Sequence, residues 1–75
     1  MRAYILINVK AGKAKEIAKK LQRVPGVKTA DPCWGLPDII ACVEVKTQKA
    51  LDEMVLGQIQ RIAGVKQTDT HIALE

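Results

Sequence analysis

The segments LQRVPGVKTAD (Leu21–Asp31) and IQRIAGVKQTD (Ile59–Asp69) align without gaps at an offset of 38 residues, with Gln, Arg, Gly, Val, Lys and Asp unchanged. In each segment the end of an amphipathic helix is followed by a glycine, which can adopt the positive φ that ends a helix, and then by residues that begin a strand. We therefore interpret the chain as two copies of one strand-helix-strand unit.

Apolar residues outside the repeated segments recur at two different spacings. Alternation over Arg2–Val9 predicts a strand, and from Ala14 to Val24 the spacing becomes that of a helix stopped by Pro25 and Gly26. The same order then repeats. It predicts strands at Val27–Cys33, Asp38–Val45 and Val65–Leu74, and a second helix that follows the N-cap Thr47, carries Leu51 to Ile62 on its apolar stripe and ends at Gly64.

The predicted fold class is α+β, in one domain covering residues 1–75. The order of elements indicates a ferredoxin-like βαββαβ plait, with a four-stranded antiparallel sheet and both helices on one face. The other face would present Ile40 and Cys42 with Leu6 or Ile5 to water, and large apolar patches are rare on soluble monomers. We therefore expect two sheets to pack face to face, as in a dimeric α+β barrel.

The composition favours a soluble, unexported protein of the reducing cytoplasm. The apolar stretch Ala3–Val9 is about a third of the ~20 residues that a bilayer span needs, so we expect no membrane contact. Cys33 and Cys42 lie on the two arms of a hairpin that turns near Gly35 and Leu36. Their register separates them by about 13 Å, whereas a disulfide needs Cα atoms closer than ~7 Å. Two reduced thiols are expected.

Positive charge is concentrated in the first half of the chain. Residues 1–37 carry eight Lys or Arg and two acids, whereas residues 38–75 carry four and six. The first helix holds Lys13, Lys15, Lys19, Lys20 and Arg23. A solvated helix face explains these residues, and a docking face for an acidic partner or nucleic acid is the alternative.

Residues for catalysis are scarce. Serine is absent, which excludes serine triads. The single histidine, His71, could pair with Cys33 or Cys42, but an ordinary surface or interface histidine is the more common case. Gly12 and Lys13 lack the spacing of a phosphate-binding loop. We expect no catalytic residues, no cofactor and no metal site.

Four motifs occur in a specific order along the chain. They are the opening strand AYILINV (Ala3–Val9) followed by a glycine, the helix end VPGV (Val24–Val27), a glycine-x-x-aspartate turn (Gly35–Asp38) and the closing segment IAGVKQTDTHIALE (Ile62–Glu75). In this order they resemble the ligand-sensing domain of the Lrp/AsnC (feast/famine) transcriptional regulators. The resemblance implies a homodimer formed through the sheets, which often assembles further into octamers, and binding of a free amino acid or similar small metabolite between subunits.

The resemblance also implies which residues border the ligand. The turn contributes Gly35 and Asp38, and the closing strand contributes Thr68, Thr70 and Ile72 less securely. The Asp38 carboxylate suits the ammonium of an amino acid, and N–H groups near a glycine suit its carboxylate. Trp34 would wall the pocket or lie in a subunit interface. The simpler alternatives are a tight turn at Gly35 and a turn-capping role for Asp38.

Two features depart from the family pattern. Family regulators place a helix-turn-helix before this domain, whereas here Met1 is followed at once by a strand; we expect a stand-alone version that does not bind DNA directly. Leu36 and Pro37 replace a polar and an aromatic residue. We predict a stand-alone amino-acid-binding module in transcriptional regulation, free or co-assembled with full-length regulators. The alternatives are a small oxygenase-like enzyme of the dimeric α+β barrel type and a structural partner that sequesters regulators.

Overall fold

Strands and helices alternate in the predicted order in the computed structural model, which describes residues 1–74. The elements are β1 (Arg2–Val9), α1 (Ala14–Leu21), β2 (Val27–Pro32), β3 (Ile39–Glu44), α2 (Gln48–Met54), a π-helical segment (Val55–Ile59) and β4 (Val65–Ile72). All neighbouring strands are antiparallel, in the order β2-β3-β1-β4. The ferredoxin-like plait predicted from the sequence is confirmed.

The repeated segments adopt matching backbone conformations. Gly26 and Gly64, at equivalent positions of the repeat, have φ values of +95° and +99°. Their carbonyl oxygens accept hydrogen bonds from the Glu44 and Lys10 amides respectively, each at 2.8 Å. Each glycine thus turns the chain from a helix into a strand and ties that turn to the end of the first strand of the other unit. The duplication predicted from the sequence is visible as this paired geometry.

The core lies between the sheet and the two helices. Alternate side chains of β1 and β3 are buried on one sheet face, and both helices pack against them. The buried residues are Ala3, Ile5, Ile7, Val9, Ile17, Ala18, Leu21, Ala30, Ile39, Ala41, Val43, Leu51, Met54, Val55 and Ile59. None of these residues is aromatic. The other alternate positions of β1 and β3 lie on the opposite face of the sheet, which we call the outer face.

The first helix is shorter than the apolar stripe predicted. It ends at Leu21, because the Arg23 and Val24 amides bond to carbonyls three residues back rather than four. Val24 still packs against the core as a partly buried residue. A tightened last turn of this kind ends a helix while its apolar stripe continues.

The second helix begins as predicted and ends in a different form. Thr47 is its N-cap, and the Thr47 Oγ1 atom accepts the Ala50 amide at 3.0 Å. After Met54 the chain continues as a π-helical segment, in which the Gln60 amide bonds to the Val55 carbonyl at 2.9 Å. Because a π-helical turn holds about one more residue than an α-helical turn, the side chains after Val55 point in different directions from those of a continuous α-helix. The apolar spacing of the sequence did not predict this change. In residues 1–74 no helix is long and apolar enough to cross a membrane.

Candidate functional site

The loop between β2 and β3 projects from the body of the domain. The Cys33 amide donates to the Asp38 carbonyl at 2.8 Å and closes the loop, as the hairpin register predicted. At its tip Gly35 has a φ of +85°, with open space around it. Trp34 is fully exposed and Leu36 is 83% exposed. Such complete exposure of a tryptophan is unusual, because burial of its large ring is strongly favourable.

Asp38 stands at the base of this loop and completes the end of β1. The pairing of β1 with β3 ends at Ile7 and Ile39, so the β3 backbone does not reach the Val9 amide. The Asp38 carboxylate takes its place: Oδ2 accepts the Val9 N–H at 2.8 Å, and the Asp38 amide donates to Asn8 Oδ1 at 3.4 Å. Asp38 therefore has a structural role at a strand end. Its other oxygen, Oδ1, has no partner within residues 1–74.

An open depression of about 500 Å³ surrounds this carboxylate. It is lined by Asn8, Val9, Ala11, Leu36, Asp38, Lys66 and Gln67. Asp38 and Lys66 place opposite charges on its walls, and Asn8 lies directly across from Gln67 in the β1–β4 register. A volume of several hundred Å³ is typical of small-molecule sites. The depression therefore presents one carboxylate and one ammonium group to its interior.

Three of the predicted ligand residues lie elsewhere in the same chain. Thr68, Thr70 and Ile72 pair with Ile7, Ile5 and Ala3, so they share the helix-facing side of the sheet. Thr68 Oγ1 accepts from Gln60 Nε2 at 2.8 Å, and the other two line a groove against α2. One protomer therefore does not bring them together with Asp38.

Trp34 is also separate from the depression. It lies beside Ala14 and Lys15, at the start of α1. Of the six predicted residues, Gly35 and Asp38 are neighbours at one turn, and the other four reach a common ligand only if another copy supplies them.

Sequence reasoning missed Asn8, Lys66 and Gln67 as lining residues. Asn8 could have been found, because it is a polar interruption at the end of an otherwise apolar strand. Lys66 and Gln67 could not, since their position depends on the register between the first and last strands.

The outer sheet face carries an apolar patch at its centre. We define the outer patch as Tyr4, Leu6, Ile40 and Cys42; Tyr4 pairs with Cys42 and Leu6 with Ile40 across the two central strands. Tyr4 and Ile40 are each 38% exposed, and the other two are half-buried.

Polar residues surround the outer patch. Arg2 and Glu44 face each other at one end, with the Arg2 guanidinium 5.8 Å from the Tyr4 ring centre. On β4, His71 Nε2 lies 3.1 Å from Asp69 Oδ2. Both thiols are free, with Cys33 on the exposed loop and Cys42 within the outer patch. Within residues 1–74, no group of three or more His, Cys, Asp or Glu side chains is placed to hold a metal ion.

Comparisons with known proteins agree with this architecture. The family model for the Lrp/AsnC ligand binding domain matches residues 2–75. The HTH-type transcriptional regulator FL11 of Pyrococcus furiosus is 36% identical over 73 residues, which are 97% of this chain and 48% of FL11. The chain thus spans about half the length of that relative. That relative is named as a transcriptional regulator.

Solved structures show the same fold. Hypothetical protein PHS023 from Pyrococcus horikoshii is 36% identical with a TM-score of 0.91, and the match covers 99% of this chain and 89% of that one. The transcriptional regulator NMB0573 from Neisseria meningitidis, solved as a complex with L-Met, is 22% identical with a TM-score of 0.86, over 99% of this chain and 49% of that one.

Proposed function

Because this chain belongs to the Lrp/AsnC ligand-binding-domain family, we propose that it is an oligomeric amino-acid-binding module of transcriptional regulation, acting in the cytoplasm. One observation carries the proposal. The apolar outer patch runs along β1 into the charged depression, since Asn8, which lines the depression, is the next outer-face residue after Leu6. The patch suits a second copy of the chain, and the depression suits a small zwitterion.

The outer patch has the layout of a subunit interface. Its centre is apolar, and the polar pairs Arg2–Glu44 and Asp69–His71 lie at its margin. An apolar core within a polar rim is typical of protein interfaces. Two copies related by a two-fold axis would each place the same patch against the other, which is the commonest symmetry of soluble oligomers. We therefore expect a homodimer formed through the outer sheet faces. The family resemblance suggests that such dimers assemble further into an octamer.

The depression offers complementary groups to a free amino acid. Asp38 Oδ1 is available for an ammonium group, because only Oδ2 is used by the Val9 amide. Lys66 can pair with the ligand carboxylate on the opposite wall. Charge-assisted hydrogen bonds of this kind are the strong ones in recognition. The Neisseria regulator, which shares the fold and was solved with L-Met, supports a free amino acid as the ligand class.

The open side of the depression leaves room for a second copy to complete the site. Gly35 lies in the same loop as Leu36 and Asp38, and the space beside its backbone is open, which leaves the loop accessible to a ligand. Thr68, Thr70 and Ile72 are on the helix-facing side of the sheet, so they would reach the ligand only from a further copy in the larger assembly, not from the copy packed on the outer patch. Trp34, which also lies away from Asp38 in its own chain, would likewise contact the ligand from another copy. The proposed site is therefore a composite between subunits.

The same outer patch would allow assembly with full-length regulators. FL11 contains a segment 36% identical to nearly all of this chain within a protein about twice as long. A mixed oligomer would couple a full-length regulator to the metabolite sensed here. Co-expression with tagged full-length regulators from the same cell, followed by affinity capture, tests this, and an Ile40→Asp variant should no longer be captured.

A ligand screen tests the sensing function. We expect at least one proteinogenic amino acid to raise the melting temperature of the wild-type protein and to give saturable heat in calorimetry. Asp38→Asn keeps an oxygen that can accept the Val9 amide but removes the negative charge. This variant should raise the dissociation constant of the amino acid by about 10- to 100-fold, which corresponds to the free energy of one hydrogen bond to a charged group.

Glu53→Gln is the matched control, because it makes the same change of charge at an exposed position of α2 that does not line the depression. It should bind like the wild type. The sensing proposal fails if no amino acid stabilises the protein, and the role of Asp38 fails if both variants bind equally well.

A further inference from the structure

Charge is unevenly distributed over the folded molecule. Residues 10–28, which comprise α1 and its flanks, carry seven Lys or Arg and one acid, whereas the remaining residues carry five and seven. All seven cationic side chains of this segment are exposed. The segment around α1 is therefore strongly positive, although the net charge of the whole chain is only +4.

Ion pairing divides the cations near α1 into two groups. Glu16 lies 4.0 Å from Lys13 and 3.9 Å from Lys20, so its carboxylate partly neutralises both. Lys15, Lys19 and Arg23 make no ion pair within residues 1–74. These three are spaced four apart and follow one side of the helix, with Arg23 in the tightened turn that ends it. We call them the cationic stripe.

The cationic stripe points away from the proposed subunit interface. α1 buries Ile17, Ala18 and Leu21 against the sheet, and the outer patch lies on the sheet's other face. A second copy packed on the outer patch would leave the stripe in solvent. The electrostatic field of the stripe is thus free to attract a separate, negatively charged partner.

We propose that the cationic stripe binds the phosphate backbone of duplex DNA without reading its bases. Residues four apart on a helix are separated by about 6 Å along its axis, and the duplex carries one charge per about 1.7 Å, so each cation of the stripe can meet a phosphate. The expectation of no DNA binding rested on the lack of a base-reading motif. Phosphate contacts need no such motif.

Fluorescence anisotropy with a labelled duplex of random sequence tests the proposal on the full chain. Three phosphate contacts predict a slope of about −2.7 in a plot of log K against log salt concentration, which is a roughly 40-fold loss of affinity between about 50 mM and about 200 mM salt. The variant Lys15→Ala/Lys19→Ala/Arg23→Ala should lose most of this binding and nearly all of the slope.

The matched control Lys46→Ala/Lys49→Ala/Arg61→Ala removes the same number of exposed positive charges outside the cationic segment. It should keep the wild-type slope. Circular dichroism melts must show both variants folded. The proposal is overturned if the wild type does not bind at the lowest salt, if both variants lose binding equally, or if labelled poly-L-glutamate binds as tightly as the duplex.

Discussion

Truncation of Ile40 to alanine is the sharpest test of the proposed sheet-to-sheet dimer. Ile40 lies in the outer patch opposite Leu6 and keeps 38% of its surface exposed in the single chain. Full burial of an isoleucine side chain contributes about 1.5–3 kcal/mol, so burial of the remaining fraction contributes about 0.6–1.1 kcal/mol in each copy. Because both copies supply the residue, the dimer should lose about 1–2 kcal/mol.

That loss corresponds to a dimer dissociation constant raised by about 5- to 30-fold. Sedimentation velocity over a dilution series measures it directly for the wild type and the variant. Leu56→Ala is the control, because Leu56 is an equally apolar residue that is 61% exposed on the helix layer, away from the outer patch. Its truncation should leave the dissociation constant unchanged, although it removes more exposed apolar surface.

Two results would refute this reasoning. The wild-type protein could sediment as a single chain at about micromolar concentration, which would mean that the outer patch has no partner copy. Alternatively, Leu56→Ala could weaken association as much as Ile40→Ala does, which would place the interface on the helix layer or make it nonspecific.

Two further predictions concern the stability of the fold, and thermal melts followed by circular dichroism check both. Asp38→Ala leaves the partly buried Val9 amide without an acceptor, so it should lower the free energy of unfolding by about 1–3 kcal/mol, with a fall of roughly 4–8 °C in melting temperature per kcal/mol. Asp38→Asn should cost less. Equal melting of Asp38→Ala and the wild type would contradict the structural role of Asp38. Gly26→Ala places a Cβ 3.1 Å from the Glu44 carbonyl oxygen. It should destabilise the fold by about 1–3 kcal/mol more than Gly12→Ala, because Gly12 has a similar φ but open space around it. Equal losses of stability would show that the positive φ, and not the close contact, sets the cost.

Local patterns were enough to predict most of the fold. Alternation defined β1 at Arg2–Val9 with its observed bounds, and Thr47 was recognised as an N-cap from its side chain and its place before an apolar stripe. The repeated glycines, Gly26 and Gly64, predicted the two helix-to-strand turns, because glycine tolerates the positive φ that ends a helix and other residues rarely adopt it. Each of these signals depends on residues within a few positions along the chain, so it can be identified from the sequence before any tertiary contact is known.

The candidate site was predicted only in part, because its geometry depends on contacts between distant residues. Asp38 was identified from its motif, yet its bond to the Val9 amide joins residues 29 positions apart. Alternation showed that Thr68 and Thr70 share one face of β4, and only the register with β1 showed that this is the helix-facing side.

The sequence by itself determined the order of the elements, the two-fold repetition and the turn at Gly35, because each rests on propensities and spacings along the chain. The tertiary structure alone decided that Asp38 and Lys66 share one depression and that Trp34 is fully exposed. These facts concern which groups meet in space, and the pairing of strands and the packing of helices decide that.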